Sequence, residues 1–204
     1  MNICIFGDSI TWGAYDPEGG GWATRLRNYF EAQNKDINVY NLGISGDSTV
    51  DLINRIEGET KSREPDLIVF AIGINDAQFI HSTNGPRISA AKFRGNLEKI
   101  FSVAKKFTDK IVFVGLTCVD ESKTHPWDEE KSYTNDIIRR FDGEIEEFCA
   151  MNNLEFIIVN NVIGKEDLID GLHPNTAGHT KLLARIKQRL EKLLINQYNV
   201  QYNV

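Results

Sequence analysis

Five short apolar runs recur along the chain: NICIF at 2–6, INVYNL at 37–42, DLIVFAIG at 66–73, KIVFVGL at 110–116 and EFIIVN at 155–160. Most are nearly continuous rather than alternating, and several positions are β-branched. That pattern predicts strands covered on both faces. Between the runs, apolar residues return every three or four positions. Trp22, Leu26, Tyr29 and Phe30 form one stripe in 22–33, and Phe93, Leu97, Ile100, Phe101, Ala104 and Phe107 form another in 90–107. Ile137, Ile138, Phe141, Ile145 and Phe148 do the same in 133–150, and Leu182, Leu183, Ile186, Leu190 and Leu193 mark a last helix after His173-Pro174-Asn175. A shorter helix over 48–57 opens at Ser48, with Asp51 where a strict capping box carries Glu or Gln.

Strand and helix alternate from end to end, which predicts an α/β three-layer αβα sandwich around a parallel sheet. In such sheets ligands bind beyond the carboxyl ends of the strands, near the point where strand order reverses. Two stretches break the alternation, 77–89 (AQFIHSTNGPRIS) and 117–132 (TCVDESKTHPWDEEKS). Each follows the carboxyl end of a strand, so both are expected over the same rim, where they would shape a pocket. The 204 residues suit one domain, read here as 1–195, with the repeated QYNV at 196–204 as a C-terminal extension.

Charge narrows the choice of partner. The 23 Lys and Arg are scattered against 29 Asp and Glu, a net charge of −6, which argues against a nucleic-acid surface or a polybasic membrane anchor. Cys4, Cys118 and Cys149 are odd in number and lack CxxC spacing, so they announce neither a disulfide framework nor a zinc site. No basic stretch precedes the first apolar run, which is too short for a signal peptide, and no segment approaches 18 consecutive apolar residues. The expectation is a soluble, cytoplasmic protein with no integral membrane association, its oligomeric state open. DPEGGGW at 16–22 lacks the Lys-Ser/Thr ending of a P-loop and the GxGxxG spacing, so it reads as a flexible rim loop. No cofactor is called for.

Reading outward from the strand ends, polar residues gather at one edge. The first strand leads to Gly7-Asp8-Ser9, the second to Asn41-Leu42-Gly43, the third to Gly73-Ile74-Asn75-Asp76, and the last toward Asp170-Gly171-Leu172-His173-Pro174. Acyl transfer needs an activated nucleophile, a base, a group that orients the base and donors for an oxyanion. Ser9, His173 and Asp170 supply the first three. The N–H groups of Ser9 and Gly43 and the amide of Asn75 supply the donors. Ser9 after Gly-Asp also suits a helix cap. Asp8 reads as an acceptor for loop N–H groups, and Asp76 as a positioner of Asn75. His81, His125 and His179 lack an acidic neighbour at the spacing of Asp170 and His173. Trp12, Trp22 and Trp127 are divided between lining a pocket and packing in the core.

GDSIT at 7–11, Gly43 within NLGISGDST, GIND at 73–76 and DGLHP at 170–174 resemble, in order and interval, the four sequence blocks of the SGNH, or GDSL-type, esterase and lipase family. The resemblance covers residues 2 to about 190. It implies a flavodoxin-like sandwich of five parallel strands and a metal-independent Ser-His-Asp hydrolase. Ser9 would be the nucleophile, Gly43 and Asn75 oxyanion donors, and Asp170 and His173 the rest of the triad. The pattern GDSxTWG looks like the branch holding arylesterases, thioesterases and lysophospholipases, which implies a small-molecule ester or thioester of small or medium acyl group. Two other functions stay open. Asp8, Asn75, Asp76, Asp170 and His173 are possible ligands of a metal-dependent phosphoesterase, and a flavodoxin-like module could bind a ligand at the same rim without catalysis.

Overall fold

The computed structural model describes residues 1–33 and 36–201. The chain runs β1 (Asn2–Gly7), α1 (Ser9–Trp12), α2 (Gly21–Ala32), β2 (Asn38–Gly43), α3 (Thr49–Lys61), β3 (Leu67–Ala71), β4 (Phe79–Ile80), β5 (Gly85–Pro86) and α4 (Ala90–Ala104). It continues through β6 (Ile111–Val114), α5 (Glu121–Thr124), β7 (Lys131–Ser132), α6 (Asn135–Met151), β8 (Glu155–Ile157), a 3-10 turn at Lys165–Asp167 and α7 (Thr176–Gln201). Positions 202–204 of the expected extension 196–204 lie outside the described residues, and the backbone of 196–201 continues α7.

The five apolar runs pair as one parallel sheet in the order β2-β1-β3-β6-β8. Their continuity has the expected cause. Ile3, Ile5 and Phe6 of β1 and Ile68, Val69 and Phe70 of β3 are all fully buried, because helices cover both faces. On one side α2 packs on α7; on the other, α3, α4 and α6 lie side by side. Phe30 of α2, Phe93 and Ile100 of α4, Ile145 of α6 and Leu190 of α7 are fully buried along the predicted stripes. Each fully buried side chain of this size contributes on the order of 1.5–3 kcal/mol, and together they fix which face of each helix meets the sheet.

Strand order decides where a site can form. The chain leaves β1 for β2 on one side and then returns to place β3 on the other, so the carboxyl ends of β1 and β3 flank the switch point. Gly7 is in register with both Gly43 and Ala71. The residues just beyond it, Asp8 and Ser9, therefore emerge between the ends of β2 and β3.

Two local expectations change. The stretches 77–89 and 117–132 carry structure of their own: β4, β5 and β7 join as a small antiparallel sheet in the order β5-β4-β7, with α5 beside it. Strands of two residues are too short to show any period in sequence. His81 pins this sheet, with Nδ1 at 2.9 Å from the Glu129 carbonyl and Nε2 at 2.8 Å from Ser132 Oγ. The glycine-rich 16–22 is tied down rather than loose. Asp16, buried, accepts from the N–H groups of Gly19 and Gly21, from Arg25 and from the Thr176 hydroxyl at the start of α7.

Asp51 also does what Glu or Gln does in a strict capping box. The Ser48 N–H donates to its Oδ2 at 2.9 Å, and both halves of the box are formed at the start of α3.

Candidate active site

Ser9 opens a one-turn helix immediately beyond β1. Asp8, not Ser9, is the cap: its Oδ1 accepts the Ile10 N–H at 2.9 Å. The serine is thereby released from capping, and its own N–H, first in the helix, has no carbonyl of an earlier turn to meet. Asp8 is buried, and burial pushes its carboxyl up to about 7 against the Ile10 hydrogen bond.

The last predicted segment folds into a closed turn. Leu168 bridges to Pro174, the Ile169 N–H reaches the His173 carbonyl at 2.9 Å, and the Asp120 N–H ties Gly171 from α5 at 2.8 Å. Within this turn Asp170 Oδ1 accepts the backbone N–H groups of Leu172 at 3.0 Å and His173 at 2.8 Å, and Oδ2 lies 2.7 Å from His173 Nδ1. Burial alone would raise the Asp170 pKa; the hydrogen bonds from the His173 ring and the two backbone groups outweigh it and hold the carboxyl down at about 2. An ionised carboxylate only accepts, so Nδ1 carries a proton and Nε2 is left as an acceptor. Ser9 Oγ lies 2.9 Å from that Nε2. Residues 164 positions apart thus form one continuous Ser-His-Asp chain of hydrogen bonds.

Asn75 and Asp76 follow β3 and do different things. Asn75 Nδ2 donates to the Asp47 carbonyl at 3.0 Å, and its Oδ1 accepts from the Tyr133 hydroxyl at 3.2 Å. One Nδ2 hydrogen is committed to Asp47, which leaves the second for the cleft that Asn75 lines beside Ser9. Asp76 is fully buried and accepts from the Thr49 N–H at 2.9 Å and from the Thr49 hydroxyl, so it locks the end of β3 to the start of α3. Burial is the main cause that pushes its carboxyl up to about 6.

Gly43 does not line the cleft. Its N–H donates to Asn41 Oδ1 at 3.1 Å, and a Cβ there would meet Trp12 N at 2.4 Å and the Asp8 carbonyl oxygen at 2.8 Å. Gly43 therefore lets α1 lie directly on the end of β2. The glycine at the cleft wall is Gly46, with φ +84° in the turn closed by the Asp47 N–H to the Ile44 carbonyl at 3.2 Å. Glycine third in such a turn is the signature of a type II turn, whose central N–H points away from the turn. The Ser-Gly pair in ISGDS carried that signal in the sequence.

The cleft measures about 680 Å³ and is lined by Ser9, His173, Asn75, Gly46, Tyr15 and Trp127 among others. Gln78 and Arg87 come to it from 77–89, and Trp127 and Lys131 from 117–132. Trp12 and Tyr15 are more than half exposed at its mouth, whereas Trp22 is core. The His173 ring sits between Tyr15, 5.2 Å away, and Trp127, 6.2 Å away.

The remaining histidines are occupied elsewhere. His179 is fully buried and its Nδ1 accepts the Trp22 N–H, His81 holds the small sheet, and His125 ends α5. Among the described residues, no group of three or more His, Cys, Asp or Glu is arranged to hold a metal ion. Asp8, Asp76 and Asp170 each direct oxygens to different protein donors.

A parallel αβα sandwich with serine, histidine and carboxylate strung together at its switch point is an SGNH hydrolase fold, an architecture of ester-hydrolysing enzymes. The sequence model of the GDSL-like lipase/acylhydrolase family matches residues 5–181, and the chain belongs to that family. It is 24% identical to an arylesterase of Vibrio mimicus over 94% of this chain and 89% of the relative. The crystal structure of a lipase/acylhydrolase from Enterococcus faecalis superposes with a TM-score of 0.76 at 26% identity, covering 94% of this chain and 95% of the other. That of the psychrotrophic esterase EstA from Pseudoalteromonas, inhibited by monoethylphosphonate, gives 0.75 at 19% identity over 95% and 98%. Family membership favours an ester-hydrolysing enzyme over a ligand-binding module. No helix among the described residues is long and apolar enough to cross a membrane.

Proposed function

We propose that the chain, as a single catalytic domain over 1–195, is a serine esterase acting on small or medium acyl esters and thioesters through Ser9, His173 and Asp170. The observation that carries this reading is the unbroken chain from Ser9 Oγ to His173 Nε2 at 2.9 Å and from Nδ1 to Asp170 at 2.7 Å. Ser9 Oγ attacks the substrate carbonyl carbon while Nε2 takes its proton. The carbonyl oxygen gains the negative charge and is met by the N–H groups of Ser9 and Gly46 and the free Nδ2 hydrogen of Asn75. Collapse breaks the bond to the alcohol or thiol, which leaves with the proton from Nε2. Water then attacks the acyl-serine, gives its proton to the same nitrogen, and the acid departs as Oγ recovers it.

The cleft supports this substrate size. It is open, with Arg87 and Lys131 among aromatic rings, and so favours a compact acyl group over a long chain enclosed in an apolar tunnel. The test is hydrolysis of p-nitrophenyl esters from acetate to palmitate by wild type and Ser9→Ala, each with and without chelator. The expected result is a Ser9-dependent, chelator-resistant rate with a short-chain optimum, together with an organophosphonate adduct that Ser9→Ala abolishes. A Ser9-independent, chelator-sensitive rate on phosphoesters would replace this reading with the metal-dependent one.

A further inference from the structure

Asn75 can serve as an oxyanion donor only in one of its two amide orientations. Flipped by half a turn about its last side-chain bond, it would turn Oδ1 toward both the Asp47 carbonyl and the oxyanion, two repulsive encounters in place of two hydrogen bonds. Oxygen and nitrogen of an amide have nearly the same shape, so packing alone does not choose between them. The choice is made by hydrogen-bond partners.

One partner is the Asp47 carbonyl, 3.0 Å from Nδ2. The other comes from outside all four sequence blocks. Tyr133 follows β7, and its hydroxyl donates to Asn75 Oδ1 at 3.2 Å while accepting from Gln78 Nε2 at 2.6 Å. Tyr133 and Gln78 are both buried. The tyrosine backbone is clamped to α5, its N–H on the Thr124 carbonyl at 2.8 Å and its carbonyl receiving the Thr124 hydroxyl at 2.8 Å. Trp127 packs edge-on against its ring at 5.7 Å. Burial pushes the phenol up to about 12, so it keeps the proton it donates.

We propose that Tyr133, supported by Gln78, is a positioning residue that fixes the amide orientation of Asn75 and polarises it, so that Nδ2 is preset to receive the oxyanion. The two stretches that break the strand and helix alternation thereby bear on the chemistry as well as on pocket shape. Gln78 lies in the first and Tyr133 directly follows the second. The run Gln78 to Tyr133 to Asn75 donates in one direction throughout, and hydrogen bonds in series strengthen one another. The role of Asn75 in this inference rests on the esterase reading.

The test uses the full chain and a soluble p-nitrophenyl ester. Tyr133→Phe removes one oxygen and keeps the ring. Its kcat is expected to fall roughly ten-fold, the effect of about one net hydrogen bond, with KM within about two-fold of wild type. Gln78→Met, which leaves the phenol in place, is expected to lose less. In an Asn75→Ala background neither change should cost more than about two-fold further, because the group they position is gone. A full ten-fold loss in that background would overturn the proposal, as would a Tyr133→Phe enzyme with wild-type kcat.

A second measurement does not depend on turnover. In the 15N spectrum the Asn75 Nδ2 hydrogens, identified by their loss in Asn75→Ala, should shift and exchange faster with solvent in Tyr133→Phe. An unchanged pair would refute the positioning role. If the wild type instead shows no Ser9-dependent turnover, the esterase reading fails while this measurement still decides whether Tyr133 orients the amide.

Discussion

Asp170→Asn isolates the tautomer on which the proposed mechanism depends. In the native turn Asp170 Oδ1 accepts two backbone N–H groups at 3.0 and 2.8 Å, and Oδ2 faces His173 Nδ1 at 2.7 Å. Asparagine has the same shape, so its Oδ1 keeps both backbone bonds and the turn keeps its form. Its NH2 group, however, can only donate toward Nδ1. Nδ1 must then accept, the ring proton moves to Nε2, and Nε2 points an N–H at Ser9 Oγ in place of a lone pair. The base is present but blocked.

The equivalent exchange in a serine-protease triad lowers kcat about 10⁴-fold with the geometry intact, which corresponds to roughly 5.5 kcal/mol of barrier. Asp170→Asn keeps both backbone hydrogen bonds and gives up only the stabilisation that the ionised carboxylate adds at neutral pH, whereas Asp170→Ala also forfeits two backbone hydrogen bonds of about 1 kcal/mol each. For a chain of this length that is a melting-point drop of roughly 4–8 °C. The assay pairs initial rates on p-nitrophenyl butyrate with thermal melts of wild type, Asp170→Asn and Asp170→Ala. A pH series adds a check, since the native carboxyl is held down at about 2. A lowered carboxyl stabilises the fold above its ordinary range, near 4, and loses that contribution as pH falls through about 2. The wild-type advantage over Asp170→Asn should therefore shrink only at such acid pH. An Asp170→Asn enzyme that melts as a folded protein and retains more than a tenth of the wild-type kcat would refute the tautomer argument.

Asp8 is expected to show the opposite sign. Its buried carboxyl is raised to about 7, so native stability is lost as pH rises from the ordinary carboxyl range through about 7. Asp8→Asn keeps the acceptor for the Ile10 N–H and should gain on wild type in urea melts from pH 4 to 7 and level off above; a pH-independent difference would contradict the burial argument. The two glycines should separate cleanly. Gly43→Ala drives a methyl into the backbone of α1 and should cost about 1–3 kcal/mol of stability, while Gly46→Ala meets no atom and should cost about 1–2 kcal/mol through its φ of +84° while lowering kcat as the N–H turns away. Wild-type melting in Gly43→Ala would refute its packing role, and wild-type kcat in Gly46→Ala would refute the proposed Gly46 donor.

The core and the frame of the site were legible because they are written locally. Continuous apolar runs require cover on both faces, and 3.6-residue stripes name the covering side of each helix, so Phe93, Ile145 and Leu190 were identifiable as core before any fold was known. The Asp170 to His173 contact was equally local, since three residues in a tight turn cannot lie far apart. Ser9 and Asn75 stand just past the ends of β1 and β3, on either side of a switch point, and that position alone brings both to one cleft.

What sequence could not settle was which groups near those strand ends point into the cleft. Gly43 and Gly46 are three residues apart in one loop, and only the packing of α1 on β2 turns the first into a contact and leaves the second at the wall. Tyr133 and Gln78 lie 55 residues apart in two stretches with no readable period, and they meet only because β4 and β7 pair. A period records how an element is covered by its neighbours, so it reports burial well. A hydrogen bond between distant side chains depends on distances and directions that no period encodes, and these exist only once the sheet, the helices and the small antiparallel sheet are assembled.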